Sequence, residues 1–312
     1  MRGGRPGGRL LSNDGPQAGA SGAVEAVIVN WNAGAWLNRC LDSLFAHHPE
    51  LELYAVVVDN ASSDGSWAAV EGRERVRLIV NDTNRGFAAA ANQGLKSLRP
   101  ETAYVLLLNP DVEFTAGVLN PLLEFLDRNP GVGLVTPRIE RPDGSFQHTC
   151  RRREPTPWQI LSHLSGLAKI FPKSDFFAGY FYGAADPSAA LEVEAVSGSF
   201  MLMRRELLAG AGVFDERYFM YAEDLEFCRR VRGSGREIWY YPATGAVHHG
   251  AVSSSQRRLR SVWHKHCTAC QYLNSARRQD IVAPVRWLLC LILILLVPFR
   301  AVISLFTGHS RS

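Results

Sequence analysis

The stretch LLLNPDVEF, residues 106–114, decides the fold. Three consecutive leucines read as the end of a strand buried on both faces, and the chain then turns polar at Asn109-Pro110-Asp111. Core packing gives no reason for a carboxylate there. The same pattern recurs upstream. VEAVIVN (24–30) ends in Asn30, with Asn32 close behind; LYAVVVDN (53–60) ends in Asp59 and Asn60; VRLIV (76–80) runs into Asn81 and Asp82. Between the first two runs Trp36, Leu37, Cys40, Leu41, Leu44 and Phe45 recur at helical spacing. SSDGSWAAVEG reads as a capped helix start, RGFAAAANQGLKSL as a third helix, residues 115–128 as a fourth, and GVGLVTP as a fifth strand. Strand-helix alternation at this interval predicts a parallel sheet with helices on both faces. The polar residues then line its C-terminal edge, where open α/β sheets bind ligands. Asp111 belongs on the rim of a ligand crevice.

The second half changes character. RPDGSFQHT (141–149) reads as a hairpin about Asp143-Gly144. Residues 154–190, rich in Pro, Gly, Phe and Tyr, read as a long, partly mobile loop of the kind that forms lids. LEVEAVSGSFMLMRREL predicts two short strands leading into a helix. YAEDLEFCRRVRGSG opens with acids and closes with arginines and glycine, as a helix should, and REIWYYP is a further strand.

With 312 residues, 46% hydrophobic and 21% charged, the chain has ordinary globular composition. A net charge of +4 without an aromatic-basic recognition motif gives no reason to expect nucleic acid. The six scattered cysteines suggest reduced thiols. Cys267 and Cys270 form a CxxC beside His264 and His266, but a second ligand pair at zinc spacing is missing, and a helical turn explains them as well. Residues 1–22 read as a disordered Gly/Arg/Pro leader. Residues 251–312 form a basic, then apolar extension. Ser253–Gln279 holds six Arg or Lys and no acid, and WLLCLILILLVPF follows, with Arg300 beyond it. This reads first as a membrane-surface or re-entrant helix, with a true span and a soluble core helix as alternatives.

NWNAGAW after the first strand is no dinucleotide fingerprint, and a P-loop is absent. The polar edge suits a nucleotide instead. Asn and Asp at strand ends can bind base and ribose, and Asp111 is placed to share a hard divalent ion with a diphosphate. Glu223-Asp224, opening a helix, can supply a general base. His248 in AVHHG can complete a metal shell, and Tyr218, Phe219 and Tyr221 can stack on sugar or pack in the core. Arg151-Arg152-Arg153 reads equally as a solvated charge run or an acceptor-diphosphate site.

VIVNWN, VVVDNASSDGS, NRGFAAAANQG, LLLNPDVEF, GSFMLMRRELL, GVFDERYFMYAEDLEFCRR and AVHHG, in that order, resemble the signatures of family 2 inverting glycosyltransferases of the GT-A fold, in the rhamnosyltransferase-like branch that builds bacterial cell-surface glycans. The resemblance implies a mostly parallel GT-A sheet with flanking helices over residues 23–250, followed by a helical membrane-associating tail. It implies nucleotide-sugar contacts at Asn30, Asp59, Asn84, Arg85, Asn92 and Asn109. It implies Mg²⁺ or Mn²⁺ on Asp111 and His248, Asp224 as catalytic base, and acceptor contacts at Gly198, Glu223 and Tyr221. Asn109 departs from the family's DxD motif, whose first acid it replaces. The implied donor is a nucleoside-diphosphate sugar, with dTDP-rhamnose the named candidate. The implied acceptor is lipid-linked or glycan, met at the cytoplasmic face of the membrane. A catalytically silent nucleotide-sugar-binding scaffold is the alternative, and the retained Asp111, Asp224 and His248 argue against it.

Overall fold

The computed structural model describes residues 22–250 and 258–306; the expected leader, up to residue 21, and the start of the basic stretch, 251–257, lie outside the described residues. In chain order the elements are β1 (Ala23–Asn30), α1 (Trp36–Ala46), β2 (Leu53–Asp59), β3 (Val76–Val80), α2 (Phe87–Lys96), β4 (Thr102–Leu108), β5 (Val112–Glu113), α3 (Leu119–Arg128) and β6 (Val132–Glu140). Then come β7 (Arg151–Arg152), α4 (Pro157–Ser165), α5 (Leu167–Ile170), α6 (Asp175–Ala178), β8 (Leu191–Glu192), β9 (Ala195–Val196), β10 (Phe200–Arg204), α7 (Leu207–Ala211), α8 (Glu223–Gly233) and β11 (Glu237–His248). Helices α9 (Arg258–Asn274) and α10 (Ala283–Phe306) complete the described chain.

The main sheet has nine strands in the order β3-β2-β1-β4-β10-β6-β11-β5, with β8 also paired to β11. Strands β3, β2, β1 and β4 are parallel, and every residue of β1 is buried, as its mostly apolar run requires. The one charge in β1, Glu25, accepts hydrogen bonds from Thr102 Oγ1 at 2.6 Å and Arg99 N at 2.8 Å. The reversed strand is β10, antiparallel to both β4 and β6. Its reversal brings the start of β10 to the same edge as the end of β4, with Asn109 N donating to Ser199 O at 3.0 Å. The expected polar edge is thus completed by a segment from the second half of the chain.

Several local expectations need correction. Residues 154–190 are not a loop. They hold α4, α5 and α6, of nine, four and four residues, and helices of one to about two and a half turns give only a weak periodic signal. The start of α4 was encoded, however: Thr156 and Gln159 form a reciprocal capping box, with Pro157 at the first turn. SSDGSWAAVEG yields a single 3₁₀ turn, Ser66–Val70, entered from Gly65 at φ 70°. The hairpin at 141–149 stops at one bridge, Glu140 to Phe146, and the chain then coils into a 3₁₀ turn at His148–Cys150. Helix α3 starts at Leu119 because a residue of another segment caps it. His48 Nε2 accepts from Val118 N at 2.8 Å and Leu119 N at 3.1 Å, while Nδ1–H donates to Leu44 O at 2.7 Å.

The C-terminal helices dock on this body through polar and apolar contacts. Glu154 accepts from Arg229 and Arg232 of α8, and from Tyr272 and Arg277 of the extension. Burial alone would raise the Glu154 carboxyl, but Arg232, Arg277 and Arg229 pull it down to about 2. A small apolar cluster of Ile160, Leu164, Leu273, Leu289 and Leu293 then joins α4, α9 and α10. Over Ala283–Val302 the helix α10 is long and apolar enough to cross a membrane, with mean hydropathy 2.2 and only 17% of that window buried. Trp287, Leu288, Leu291, Leu295, Phe299 and Val302 form its exposed stripe. Cys267 and Cys270 lie on α9, and all six cysteines are free thiols.

The α3 cap needs neutral His48, and burial lowers its pKa. A lowered folded-state pKa contributes stability that is full above the unfolded value, near 6.5, and is lost as pH falls. His48→Ala is expected to cost about 1–2 kcal/mol at pH 8 and less at pH 5, measured by urea unfolding at both values.

Candidate active site

A cleft of about 330 Å³ opens at the polar edge, walled by Trp31, Asn60, Asn84, Asn109, Asp111, Arg152, Gly198, Tyr221, Glu223, Asp224, His248 and Lys265, among others. Four of its charged or ionisable residues, Asp111, Glu223, Asp224 and His248, are nonetheless between 6% and 9% exposed. Two groups line it.

The first group forms where β5 pairs with the end of β11, placing Val112 opposite His248. Asp111 Oδ1 lies 3.1 Å from His248 Nε2, and Asn109 Nδ2 lies 3.3 Å from the same nitrogen. Gln147 sets the tautomer. Its Nε2 donates to Thr149 Oγ1 at 3.0 Å, which turns its Oε1 toward His248 Nδ1, also at 3.0 Å. With Nδ1 carrying the proton, Nε2 presents a lone pair beside a carboxylate oxygen. Two acceptors held this close are the geometry of adjacent ligands on a small cation, so the residues fit a divalent metal. The described residues contain no cluster of three or more His, Cys, Asp or Glu placed to hold a metal, so the remaining positions would fall to water or a ligand's phosphate oxygens.

The second group opens α8. Tyr221 at φ 69° and Ala222 at φ 61° are successive left-handed non-glycine residues, a strained entry that aims the first turn of α8 into the cleft. Asp224 Oδ2 accepts from Arg152 and from Gly198 N at 3.0 Å, and Oδ1 accepts from Leu225 N at 2.8 Å. Burial alone would lower the Arg152 pKa, but Asp224 more than offsets this and raises it. Glu223 has no such partner. Its Oε2 is buried without a hydrogen bond, and burial, then the adjacent Asp224, push its carboxyl up to about 8. Neighbouring carboxyls in opposite environments divide their roles: an ion-paired carboxylate beside a proton-bearing acid.

The nucleotide-side candidates are distributed differently. Asn84 lines the cleft and Asn84 Oδ1 accepts from Asn60 Nδ2 at 3.0 Å and Gly86 N at 2.9 Å. Asn30 and Asp59 sit behind the wall. Asn30 Nδ2 donates to Asp59 Oδ1 at 2.7 Å, and Asp59 Oδ2 accepts from Ser62 N at 2.9 Å, so the pair anchors the loop that follows β2. Asn92 is equally buried and clamps Phe214 through two backbone hydrogen bonds of 2.8 and 2.9 Å. Arg85 is exposed, and its backbone N–H donates to Asn60 Oδ1 at 2.9 Å. Gly86 at φ 84° is required by close approach, since a Cβ would stand 2.4 Å from Phe219 O. Arg151-Arg152-Arg153 is not a solvated run. Arg151 is fully buried and bonded to Ala185 O and Asp186 O, Arg152 holds Asp224, and Arg153 covers the Tyr182 ring. Gln147, Lys265 and the role of Arg152 were not legible, because each acts on a partner far away in sequence.

The sequence model of Glycosyl transferase family 2 matches residues 25–209, more than half of the chain. The chain belongs to this family. It is 30% identical over 277 residues, covering 85% of itself and 89% of the relative, to the N-acetylglucosaminyl-diphospho-decaprenol L-rhamnosyltransferase of Mycobacterium tuberculosis. It is also 27% identical over 153 residues, covering 47% of itself and 52% of the relative, to the rhamnosyltransferase WbbL of Escherichia coli K12. Among solved structures, the Pyrobaculum calidifontis mannosyltransferase PcManGT, determined with GDP-Man and Mn²⁺, superposes with a TM-score of 0.57 at 20% identity, covering 93% of this chain and 76% of that one. The chain is therefore a family 2 glycosyltransferase of the rhamnosyltransferase branch, with the mixed α/β fold of its GT-A neighbours.

The proton on Glu223 has a stability consequence. A carboxyl raised from its unfolded value of about 4.5 to about 8 destabilises the fold increasingly between those pH values. Glu223→Gln is expected to match wild type at pH 4.5 and to be more stable than it at pH 8, by denaturant unfolding across that range.

Proposed function

We propose that this glycosyltransferase moves L-rhamnose from a nucleoside diphosphate, dTDP-rhamnose, to a lipid-linked diphosphate sugar, with inversion, during bacterial cell-surface polysaccharide synthesis. The observation that carries the reading is that Asp111, His248 and Asp224 line one cleft. The printed activity of the Mycobacterium tuberculosis relative, matched over most of both chains, supports the choice of donor sugar and acceptor class.

Asp111 Oδ1 and His248 Nε2 are the groups that would hold Mg²⁺ or Mn²⁺, with Asn109 alongside and Gln147 fixing the histidine. A divalent ion there supplies charge neutralisation for the departing diphosphate. Asn60, on a loop anchored from behind by Asn30 and Asp59, and Asn84, on the loop before α2, form the wall for the nucleoside. Asp224 takes the proton from the acceptor hydroxyl. That oxygen bonds to the anomeric carbon as the bond to the diphosphate breaks, and the electron pair leaves with the diphosphate oxygen. Arg152 and Gly198 N–H keep the base in the cleft, so the acceptor meets a carboxylate already in place. Glu223, bearing its proton, donates to an acceptor oxygen, and Tyr221 flanks the sugar. The exposed stripe of α10 rests on the cytosolic membrane surface, which brings the cleft to its lipid-linked acceptor.

Incubation with a panel of nucleotide-sugars tests the donor. Release of dTDP from dTDP-L-rhamnose, abolished by a chelator and restored by Mn²⁺, is expected; preference for another sugar or base overturns the assignment. Asp224→Asn preserves shape but cannot take a proton. It is expected to lower the transfer kcat by about a hundredfold or more while calorimetric donor binding persists. Near-wild-type turnover in the folded variant would remove Asp224 from the role.

A further inference from the structure

A second cavity of about 150 Å³ adjoins the cleft and shares Arg152, Tyr221, Ala222 and Lys265 with its wall. Its sides are apolar, from Ile160 and Leu164 of α4, Leu225 of α8 and Ala269 of α9. Lys265 is in its wall, and two further cations act on His163, which also lines it. Lys265 reaches in from α9, with the Tyr221 ring as its neighbour at 5.1 Å. Arg300 arrives from α10: its Nη1 stands 3.2 Å from where a Cβ on Gly166 would lie, so the guanidinium reaches the α4–α5 junction. Lys169 is on α5. All three act on His163, whose imidazole is brought down to about 4 by burial first and then by Lys265, Arg300 and Lys169.

Elsewhere around the cleft the basic side chains are matched: Arg152 has Asp224, and Arg229, Arg232 and Arg277 have Glu154. Among the described residues Lys265, Arg300 and Lys169 pair with no carboxylate, and the like charges of Arg300 and Lys169 act with desolvation to lower Lys265. Lys265 and Lys169 are exposed and Arg300 is half-buried, so the apolar cavity is bordered by cations that no carboxylate balances, an arrangement that draws an anion. The placement of Arg300 is informative. It lies on the face of α10 that carries Leu289 and Leu293 into the protein, not on the exposed stripe of Leu288, Leu291, Leu295, Phe299 and Val302. A charge in an apolar helix turned inward, toward other cations, has a ligand to hold rather than a helix to end.

We propose that Lys265, Arg300 and Lys169 bind the diphosphate of the lipid-linked acceptor, so that its sugar reaches from Lys265 toward Asp224. This rests on the acceptor class given above. Phosphate oxygens suit such a cluster, and they have two sources here, the acceptor and anionic lipid headgroups. The test uses the full-length protein, saturating donor and two acceptors: a sugar on a short prenyl diphosphate, and the same sugar on a neutral alkyl group. Lys265→Met and Arg300→Gln, each checked for an intact thermal transition, are expected to lower the preference for the diphosphate acceptor about tenfold or more, through KM. If Arg300→Gln fails to fold, Lys265→Met decides alone. Flotation on anionic against zwitterionic vesicles separates the sources. Full preference in the folded variants, or a loss confined to anionic-vesicle binding, overturns the proposal. Failure of the functional reading looks different: the wild type would transfer to neither acceptor, and this inference would fall with it.

Discussion

The contact on which the site depends is the buried pair of Arg152 and Asp224. It joins β7 to the first turn of α8, and the same carboxylate oxygen accepts from Gly198 N on the approach to β10. Three segments far apart in sequence are therefore fixed around one carboxylate. Desolvating two charges is costly, and removing either partner would leave the other buried and alone. Glu223 keeps its proton chiefly through burial, with the Asp224 carboxylate beside it adding to the effect. The ion pair sets the position of the proposed base, and that base in turn favours the proton on its neighbour.

The reversed strand β10 is what lets this happen. A purely parallel sheet would present only the ends of β1, β2 and β4 at its edge. Running β10 against β4 delivers Ser197–Ser199 beside Asn109, and α8 then enters the cleft from the same half of the chain. The strained backbone at Tyr221 and Ala222 is borne where the entry to α8 must turn sharply inward.

The architecture was readable wherever the signal was local. Mostly apolar runs gave β1, β2 and β4, and polar residues at their ends marked the edge. LLLNPDVEF and AVHHG carried Asp111 and His248, which the fold brings within 3.1 Å across 137 residues of sequence. What was not legible depended on distant partners or on helices too short to show a repeating pattern. Asp59 reads as a nucleotide-contacting acid, and its hydrogen bonds to Asn30 and Ser62 were not legible; Arg152 reads equally as part of a solvated run or of an acceptor-diphosphate site, and its burial on Asp224 was not legible. Helices α4 to α6 were hidden by their brevity, though Thr156 and Gln159 announced the first of them. Arg300 reads as a break in an apolar run. In three dimensions it leaves the exposed stripe of α10 uninterrupted and faces the protein.

The central claim is that Asp111 and His248 bind the metal-diphosphate end of the donor in the cleft that Asp224 also lines. Anomalous diffraction from crystals grown with Mn²⁺ and a nucleoside diphosphate tests it most directly. The account predicts one manganese peak bonded to Asp111 Oδ1 and His248 Nε2 at about 2.1 Å, with diphosphate oxygens completing its shell and Asp224 free of it. Manganese bound elsewhere, or a diphosphate seated away from this cleft, would contradict it.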